Sequence, residues 1–301
     1  PPTRTMTLPP TQTVTAKPSA TATQIPFAKG RGIAFSSDRG DGKTLQIWLM
    51  DVKLNDQGLV TATDLRQLTF DDGDKTQPAW SPDGNKLLYV APGGKAANGL
   101  DNGLDIFLVD LSSAVLKPAN LTQRIGDDID PTWSPDGKLI AFTNNGRSDK
   151  VKMIDIMNAD GSDIRRVSVD LQELNPTWSP GLDLLYITFA RENNIIYIRT
   201  SASKYAENTF FDNKGMSTRT GQSADPAWSP DGSQIAYTRM EQILGGAAYG
   251  NIQSLVAASR GDQITKLTDR GWDRDPAWSP DSQWIVFTSR RDLYLEIYVD
   301  R

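Results

Sequence analysis

The 301-residue sequence contains neither cysteine nor histidine. The first absence excludes disulfides, thiolate nucleophiles and zinc sites built on cysteine. The second excludes Ser-His-Asp and Cys-His mechanisms, histidine-ligated metals and the commonest general base. Any catalysis would have to depend on carboxylates, lysine, tyrosine, arginine or a hard cation. These two absences lower the expectation of an enzyme.

Long apolar runs and clustered positive charge are also lacking. No uninterrupted run approaches the roughly 18 residues of a membrane-spanning helix, so no transmembrane segment is predicted in this chain. The net charge is -5 and the isoelectric point about 4.9. Nucleic-acid recognition calls for a clustered basic surface, and we predict no nucleic-acid partner. The hydrophobic fraction of 38% is typical of a globular protein with a substantial core.

Residues 1–28 are rich in threonine and proline and poor in large apolar residues. This composition predicts an extended linker, because it offers too little apolar surface to fold alone. Such stalks often tether domains outside a cell. We therefore expect an extracytoplasmic location, whether periplasmic, secreted or tethered to the surface through an upstream anchor. A disordered tail is the alternative, although TQTVTA (11–16) has the composition of a strand that adds to a sheet edge.

The remaining residues, 29–301, contain five copies of one motif. The copies are QPAWSPDGNKLLYV, DPTWSPDGKLIAFT, NPTWSPGLDLLYIT, DPAWSPDGSQIAYT and DPAWSPDSQWIVFT. Their tryptophans are spaced 53, 45, 50 and 50 residues apart, and they are Trp80, Trp133, Trp178, Trp228 and Trp278. A period of this length indicates a repeat architecture in which the motif is first a structural unit.

Strand signals follow in a constant order within each period. A tryptophan strand is followed by two apolar strands and a weaker strand around Leu-Thr, and the two apolar strands occur six times. We therefore predict an all-β protein, a six-bladed β-propeller of four-stranded blades. The first blade shows no tryptophan strand and the last stops before its outer strand. Either the N-terminal arm supplies a missing strand, or the ring is cut short.

The motif itself has the composition of an edge strand followed by a tight turn. Ser-Pro-Asp-Gly suits a turn, with proline fixing φ at the second place and glycine closing it. Prolines on both sides of the tryptophan, such as Pro226 and Pro230, are tolerated only on an edge strand. In a propeller this edge is the innermost strand, beside the central channel.

The pattern D-P-x-W-S-P-D-G-x-x-I-A-F/Y, followed by I-Y/W-x-M/V-D, resembles the repeat of TolB-like β-propellers, which are relatives of the WD-repeat proteins. The resemblance covers nearly all of 29–301 and implies a six-bladed propeller. The fourth copy departs from it by lacking the Asp-Gly pair, and the fifth has Asp281-Ser282 instead. Propellers serve as binding modules and as enzymes, so the resemblance leaves the function open.

The candidate site lies on the face opposite the Ser-Pro-Asp-Gly turns, where the predicted loops are longer and uneven. Five equivalent positions that precede a proline should surround the channel mouth: Gln77, Asp130, Asn175, Asp225 and Asp275. The carboxylates of Asp130, Asp225 and Asp275 could hold a hard cation such as Ca²⁺. The favoured interpretation is that these side chains satisfy backbone donors where the inner strands begin.

Three further residues complete the candidate site. Arg39 and Arg290 occupy related positions after the second strand of their blades, where they could bind an acidic partner or, as we favour, pair with the carboxylates of the ring. Trp272 lies in a loop, where it could cap a ligand or anchor a partner. Packing against the next blade is the more conservative expectation for it.

The leading hypothesis is a non-enzymatic extracytoplasmic propeller that binds a protein or peptide through this irregular-loop face. One alternative is a cation-dependent polysaccharide lyase or hydrolase working in the channel, which would need a carboxylate pair or a lysine or tyrosine base near a metal. Another is a propeller that binds a sugar or small ligand through Trp272 and Tyr249. No cofactor is predicted other than this conditional Ca²⁺.

Overall fold

A computed structural model describes most of the chain from residue 32 onward. The described residues are 32–54, 60–95, 99, 102–146, 151–167, 172–181, 186–191, 194–199, 207–209, 221–241, 249–256, 264–268, 273–289 and 296–300. All regular elements in these ranges are β-strands. None of the described residues forms a helix long and apolar enough to cross a membrane. The predicted linker and the TQTVTA stretch lie outside the described residues.

The described strands form six antiparallel sheets, in each of which consecutive strands are hydrogen-bonded neighbours. The first sheet contains β1 (Gly32–Ser37), β2 (Gln46–Leu54) and β3 (Val60–Gln67). The second contains β4 (Thr76–Trp80), β5 (Lys86–Pro92), β6 (Leu104–Asp110) and β7 (Ala119–Asn120). The third contains β8 (Asp128–Trp133), β9 (Leu139–Asn144), β10 (Met153–Asn158) and β11 (Arg165–Arg166).

The other three sheets repeat this plan. The fourth contains β12 (Glu173–Trp178), β13 (Tyr186–Arg191), β14 (Asn194–Arg199) and β15 (Glu207–Thr209). The fifth contains β16 (Gly221–Trp228), β17 (Gln234–Glu241), β18 (Tyr249–Val256) and β19 (Ile264–Lys266). The sixth contains β20 (Arg274–Trp278), β21 (Ile285–Ser289) and β22 (Glu296–Asp300).

The tryptophan strands β4, β8, β12, β16 and β20 each occupy one edge of a sheet. They contact one another in chain order, and β1 contacts β4. This is the arrangement of a β-propeller whose inner strands surround an axis, which confirms the predicted all-β class. Six sheets are compatible with six blades. As the motif pattern predicts, the described part of the first sheet has no tryptophan strand, and that of the sixth has no outer strand.

The hydrophobic core lies between neighbouring sheets. Between the second and third sheets, for example, Leu88 and Ile106 pack with Trp133, Ile140 and Phe142 in one buried cluster. The middle strands read as continuous apolar runs because a propeller blade is covered on both faces, so both faces of these strands need apolar side chains. The core is therefore a set of interfaces arranged around the axis.

The first and sixth sheets also pack against each other. Phe35 and Met50 of the first sheet form a buried cluster to which Trp284 and Val286 of the sixth contribute. Phe35 is 8% exposed and Met50 fully buried, while Trp284 and Val286 are partly buried, so this interface has a smaller buried core than those between the second, third and fourth sheets. The ring therefore closes through apolar side-chain contacts between the described parts of the two three-stranded sheets.

The tight turns form as the motif predicts. In the second, third and fifth sheets the amide of the glycine donates to the carbonyl of the serine three residues earlier, at 2.9 Å, as in Gly137 N to Ser134 O. Gly137 has a φ of 69°, a left-handed conformation that glycine adopts without a steric penalty. The aspartate reinforces the turn, since Ser134 Oγ donates to Asp136 Oδ1 at 2.7 Å.

The hydrogen bonds of the motif tryptophans explain why the repeat uses an indole at this position. The Nε1 of Trp133 donates to the carbonyl of Ala79, that of Trp178 to Thr132 and that of Trp278 to Ala227, at 3.3, 3.3 and 3.0 Å. In each case the acceptor is the residue just before the tryptophan of the preceding sheet. The indole N–H thus sets the register between blades, which another apolar side chain cannot do.

Candidate functional site

The five ring positions share an unusual backbone conformation. Gln77, Asp130, Asn175, Asp225 and Asp275 have φ values of 52°, 55°, 53°, 51° and 53°. At each of them the pairing with the second strand shifts register, which marks a β-bulge. Aspartate and asparagine tolerate the left-handed conformation better than most residues, which accounts for their prevalence at these positions.

Hydrogen bonds join the first three ring residues in succession. Gln77 Oε1 accepts from the amide of Asp130 at 3.0 Å, and Gln77 Nε2 donates to Asp130 Oδ1. Asp130 Oδ2 in turn accepts from the amide of Asn175 at 3.4 Å and from Thr143 Oγ1 at 2.9 Å. The side chains of Gln77 and Asp130 therefore each satisfy a donor at the start of the next inner strand. This is a variant of the favoured sequence interpretation, because the donor belongs to the neighbouring sheet.

Burial raises the pKa of both Asp130 and Asp225 in the ring. Burial and the neighbouring charge of Asp275 raise the pKa of Asp225 to about 7, and the charge of Asp130 adds to this rise. The nearby Thr238 hydroxyl and the charge of Arg274 act in the opposite direction. Because Asp130 and Asp225 belong to sheets two apart, their charge interaction indicates that both carboxylates face the axis.

The metal prediction gains no support from side-chain geometry. Among the described residues no group of three or more acidic side chains is arranged to hold a metal ion. Asp275 Oδ2 instead accepts from Thr288 Oγ1 at 2.9 Å, and the Asp130 carboxylate is engaged by Gln77, Thr143 and Asn175. A Ca²⁺ site at the mouth stays a sequence prediction.

Loops on this face are hydrogen-bonded to one another, in one case between the second and third sheets and in another within the third sheet. The amide of Gly126 donates to the carbonyl of Asn102 at 2.7 Å, and that of Asn145 donates to the carbonyl of Asp127 at 3.0 Å. A Cβ on Gly126 would lie 2.3 Å from the Cα of Gly146, so the backbones are in close contact there. The described part of this face is therefore a preformed surface.

Two apolar side chains project from the same loops. Phe70 is 71% exposed and Ile125 is 49% exposed, and each lies in a loop that leads into an inner strand. On the turn face the described loop between β6 and β7 carries Val115, which is 73% exposed. That loop adjoins the second-sheet turn, because the amide of Leu111 donates to the carbonyl of Asn85 at 2.8 Å.

A second repeating position escaped the sequence prediction. Five residues before the motif tryptophan, Lys75, Asp128, Glu173 and Asp273 are all buried. Lys75 Nζ donates to the carbonyls of residues 71, 72 and 73 at 2.5, 2.6 and 2.9 Å. Asp128 pairs with Arg124 at 2.8 Å. Aligning the copies on their tryptophans would have revealed a polar residue at constant spacing, but not its burial.

Arg39 is not brought to the carboxylates of the ring. Its guanidinium carbon lies 4.8 Å from the centre of the Phe35 ring and 5.7 Å from that of Trp48, and its Nε donates to Ser37 Oγ at 3.0 Å. The favoured sequence interpretation, pairing with the ring, is therefore not what the described residues show. Trp272 and Arg290 lie outside the described residues.

Comparison with known families identifies the repeat. Residues 149–300, slightly more than half of the chain, match the model of the TolB β-propeller domain. The chain belongs to this family. A TolB-family relative, the Tol-Pal system protein TolB of Francisella tularensis subsp. mediasiatica, is 26% identical over 171 residues, covering 56% of the chain and 36% of the relative. The chain thus spans roughly a third of the length of the curated TolB relatives it matches.

Solved structures agree on the fold. TolB from Acinetobacter baumannii superimposes with a TM-score of 0.65 at 19% identity, covering 90% of this chain and 60% of that one. An oligogalacturonate lyase from Vibrio parahaemolyticus superimposes with a TM-score of 0.53 at 13% identity, covering 89% and 86% of the two chains. At these identities the likeness establishes a shared propeller fold and nothing about activity.

Proposed function

We propose that this TolB-family propeller is a non-enzymatic extracytoplasmic scaffold that binds a protein or peptide through the irregular-loop face. The observation that carries the proposal is the contrast between the two faces. One carries repeated tight turns, and the other carries uneven loops that are hydrogen-bonded to one another. Exposed apolar side chains occur on both faces, and on the loop face they are Phe70 and Ile125. A preformed surface with exposed apolar anchors suits protein recognition because it loses little conformational entropy on binding.

The relatives support the same class of function and location. The curated relatives named above are proteins of the Tol-Pal system. We infer by analogy that this chain also acts outside the cytoplasm and has a protein partner. The threonine- and proline-rich composition of residues 1–28 supports that location, as it is typical of extracytoplasmic stalks.

The test is capture of a partner on the immobilised chain from an envelope or secreted fraction, with identification by mass spectrometry. We expect a protein that is lost with the double substitution Phe70→Ser and Ile125→Ser. It should be retained with Val115→Ser, which removes an equally exposed apolar side chain from the turn face. Equal loss with both variants, or no captured protein, would contradict the proposal, provided that the melting temperatures match.

A polysaccharide lyase or hydrolase is the second candidate, and it is favoured by the raised pKa of Asp225. A carboxyl with a pKa of about 7 beside a second carboxylate is suited to general acid–base catalysis. Incubation with polygalacturonate, with and without Ca²⁺, would release unsaturated or reducing ends if this candidate were correct. Product formation abolished by Asp225→Asn would favour the enzyme over the scaffold.

A further inference from the structure

The guanidinium of Arg39 is held in a fixed orientation on the irregular-loop face. It stacks over Phe35 and Trp48, and its Nε is fixed by Ser37 Oγ. The indole of Trp48 is itself anchored, since its Nε1 donates to the carbonyl of Ser37 at 3.2 Å. The hydrogen bonds that Arg39 makes among the described residues use its backbone amide and its Nε, and neither Nη group takes part in them.

Arg39 differs from the described arginines that form ion pairs. Arg124 and Arg166 pair with Asp155 at 2.9 and 3.1 Å, and Arg165 pairs with Asp163. No described carboxylate lies within ion-pair distance of Arg39. Burial lowers the pKa of Arg39, and the charge of Asp38 opposes this only in part. A half-buried cation with no ion pair to any described carboxylate carries a desolvation penalty, and an incoming anion would relieve that penalty.

The geometry and charge around Arg39 select the class of anion. A planar guanidinium fork matches a carboxylate in two parallel hydrogen bonds. Asp38 and Asp41, on the same loop, are exposed, and their negative charge disfavours a phosphate dianion or a run of acidic residues. The Asp41 carboxylate is occupied locally, accepting from the amides of residues 43 and 44 at 2.8 Å each. A single carboxylate in a neutral or cationic segment fits best.

We propose that Arg39 binds one carboxylate of the protein partner, presented by a segment that is otherwise neutral or cationic. The inference rests on the proposed function and adds a chemical requirement to it. The loop that carries Arg39 lies against the outer strands of the first sheet. A Cβ on Gly40 in this loop would lie 3.0 Å from Gln67 Oε1 and 3.5 Å from the indole of Trp48. The role assigned to Arg39 is therefore independent of the ring residues at the channel axis.

The test uses two labelled peptides that differ at one atom group, lysine-glycine-glutamate-glycine-lysine and its glutamine counterpart, each capped at both ends. Fluorescence anisotropy at low salt measures their dissociation constants for the full chain and for Arg39→Gln, Arg39→Lys and Arg165→Gln. We expect the wild-type chain to bind the glutamate peptide about tenfold more tightly than the glutamine peptide. Arg39→Gln should abolish that preference, Arg39→Lys should weaken it, and Arg165→Gln should leave it intact.

Each other outcome would overturn the inference. A wild-type chain that does not distinguish the two peptides, or an Arg39→Gln chain that still does so, removes the carboxylate role. Loss of thermal stability in Arg39→Gln without loss of the preference would make Arg39 purely structural. Tetragalacturonate that competes in an Arg39-dependent way, and binds more tightly than the peptide, would assign the carboxylate to a sugar acid. A partner captured through Phe70 and Ile125 but unaffected by Arg39→Gln would leave the proposed function standing alone.

Discussion

At the scale of single residues, the ring positions show how one side chain serves two structural needs. A β-bulge places each of them in the left-handed conformation, which Asp and Asn tolerate. The side chains of Gln77 and Asp130 then reach the amide of the equivalent residue in the next inner strand. The same arrangement brings carboxylates together at the axis. As a result, burial and the charges of Asp275 and Asp130 raise the pKa of Asp225 to about 7.

The raised pKa of Asp225 gives a pH prediction. Folded Asp225 retains its proton up to about pH 7, whereas an unfolded aspartate releases it near 3.8. The folded state therefore binds more protons between these values, and the free energy of unfolding should fall as pH rises through the window. Urea denaturation should show a loss of at least about 1 kcal/mol between pH 5 and 8 in the wild type, and a smaller loss in Asp225→Asn.

The absence of histidine removes the side chain that ordinarily titrates between pH 5 and 8. Asp130, whose pKa burial also raises, belongs to the same ring, so the comparison with Asp225→Asn isolates the part that Asp225 contributes. Asp231→Asn is the matched control. Ser229 and the amide of residue 233 lower the pKa of Asp231, so it stays ionised throughout this range. The control should change stability equally at both pH values. An identical pH slope in the wild type and Asp225→Asn would refute the assignment.

At the scale of elements, an ion-pair network fixes the loop that leads into β8. Arg124 lies over the Phe142 ring at 5.2 Å and pairs with Asp128 and Asp155, while Arg166 pairs with Asp155 from β11. Burial raises the pKa of Asp128 even though Arg124 is bonded to it, so desolvation outweighs pairing for that carboxylate. The network therefore positions the loop and adds little net stability.

Removing Arg124 should be strongly destabilising for the same reason. Arg124→Ala removes an ion-pair partner from the buried carboxylates of Asp128 and Asp155. We expect a loss of about 3 kcal/mol in the free energy of unfolding. The control is Arg165→Ala, whose partner Asp163 is solvent-exposed, and its loss should stay below about 1 kcal/mol. Chemical denaturation at pH 7 measures both. Similar small losses in the two variants would show that water replaces Arg124 without penalty.

At the scale of the whole molecule, ring closure depends on an interface between the most distant described sheets. Phe35 and Met50 pack with Trp284 and Val286, about 250 residues later in the chain, with no strand shared between the described parts of the two sheets. Joining such distant elements carries a large entropic cost of loop closure. The closing interface should therefore form late in folding and open first.

Truncating a side chain in the closing interface should show that this interface opens first. Phe35→Ala removes a buried aromatic ring, and a loss of about 3 kcal/mol is expected from the cavity and the lost burial. Hydrogen exchange should then accelerate in β1 and β21 before it does so in β9 and β10. The matched variant Phe142→Ala, in the third sheet, should instead raise exchange around β9. Uniform acceleration in both variants would indicate that the propeller unfolds as one unit.

The sequence by itself determined the repeating plan of the protein. Five tryptophan motifs at regular spacing, with prolines that confine their strand to an edge, predicted the propeller and the face that carries the turns. The exclusion of cysteine- and histidine-based chemistry follows from composition alone. These conclusions were accessible because turn chemistry, strand period and residue type act over a few residues.

Only the tertiary structure decided where the charges lie and what they contact. The inter-blade bonds of the ring join residues that are distant in sequence, as Gln77 and Asp130 are. The left-handed bulges, the burial of Lys75 and Asp128, and the stacking of Arg39 on Trp48 are set only once the strands have paired and the sheets have packed. A period of about 50 residues shows that equivalent positions exist, but the environment of each one is set by the neighbouring blade. Burial and long-range electrostatics are properties of the assembled ring, so the local pattern could place Arg39 on the correct face yet misjudge its partner.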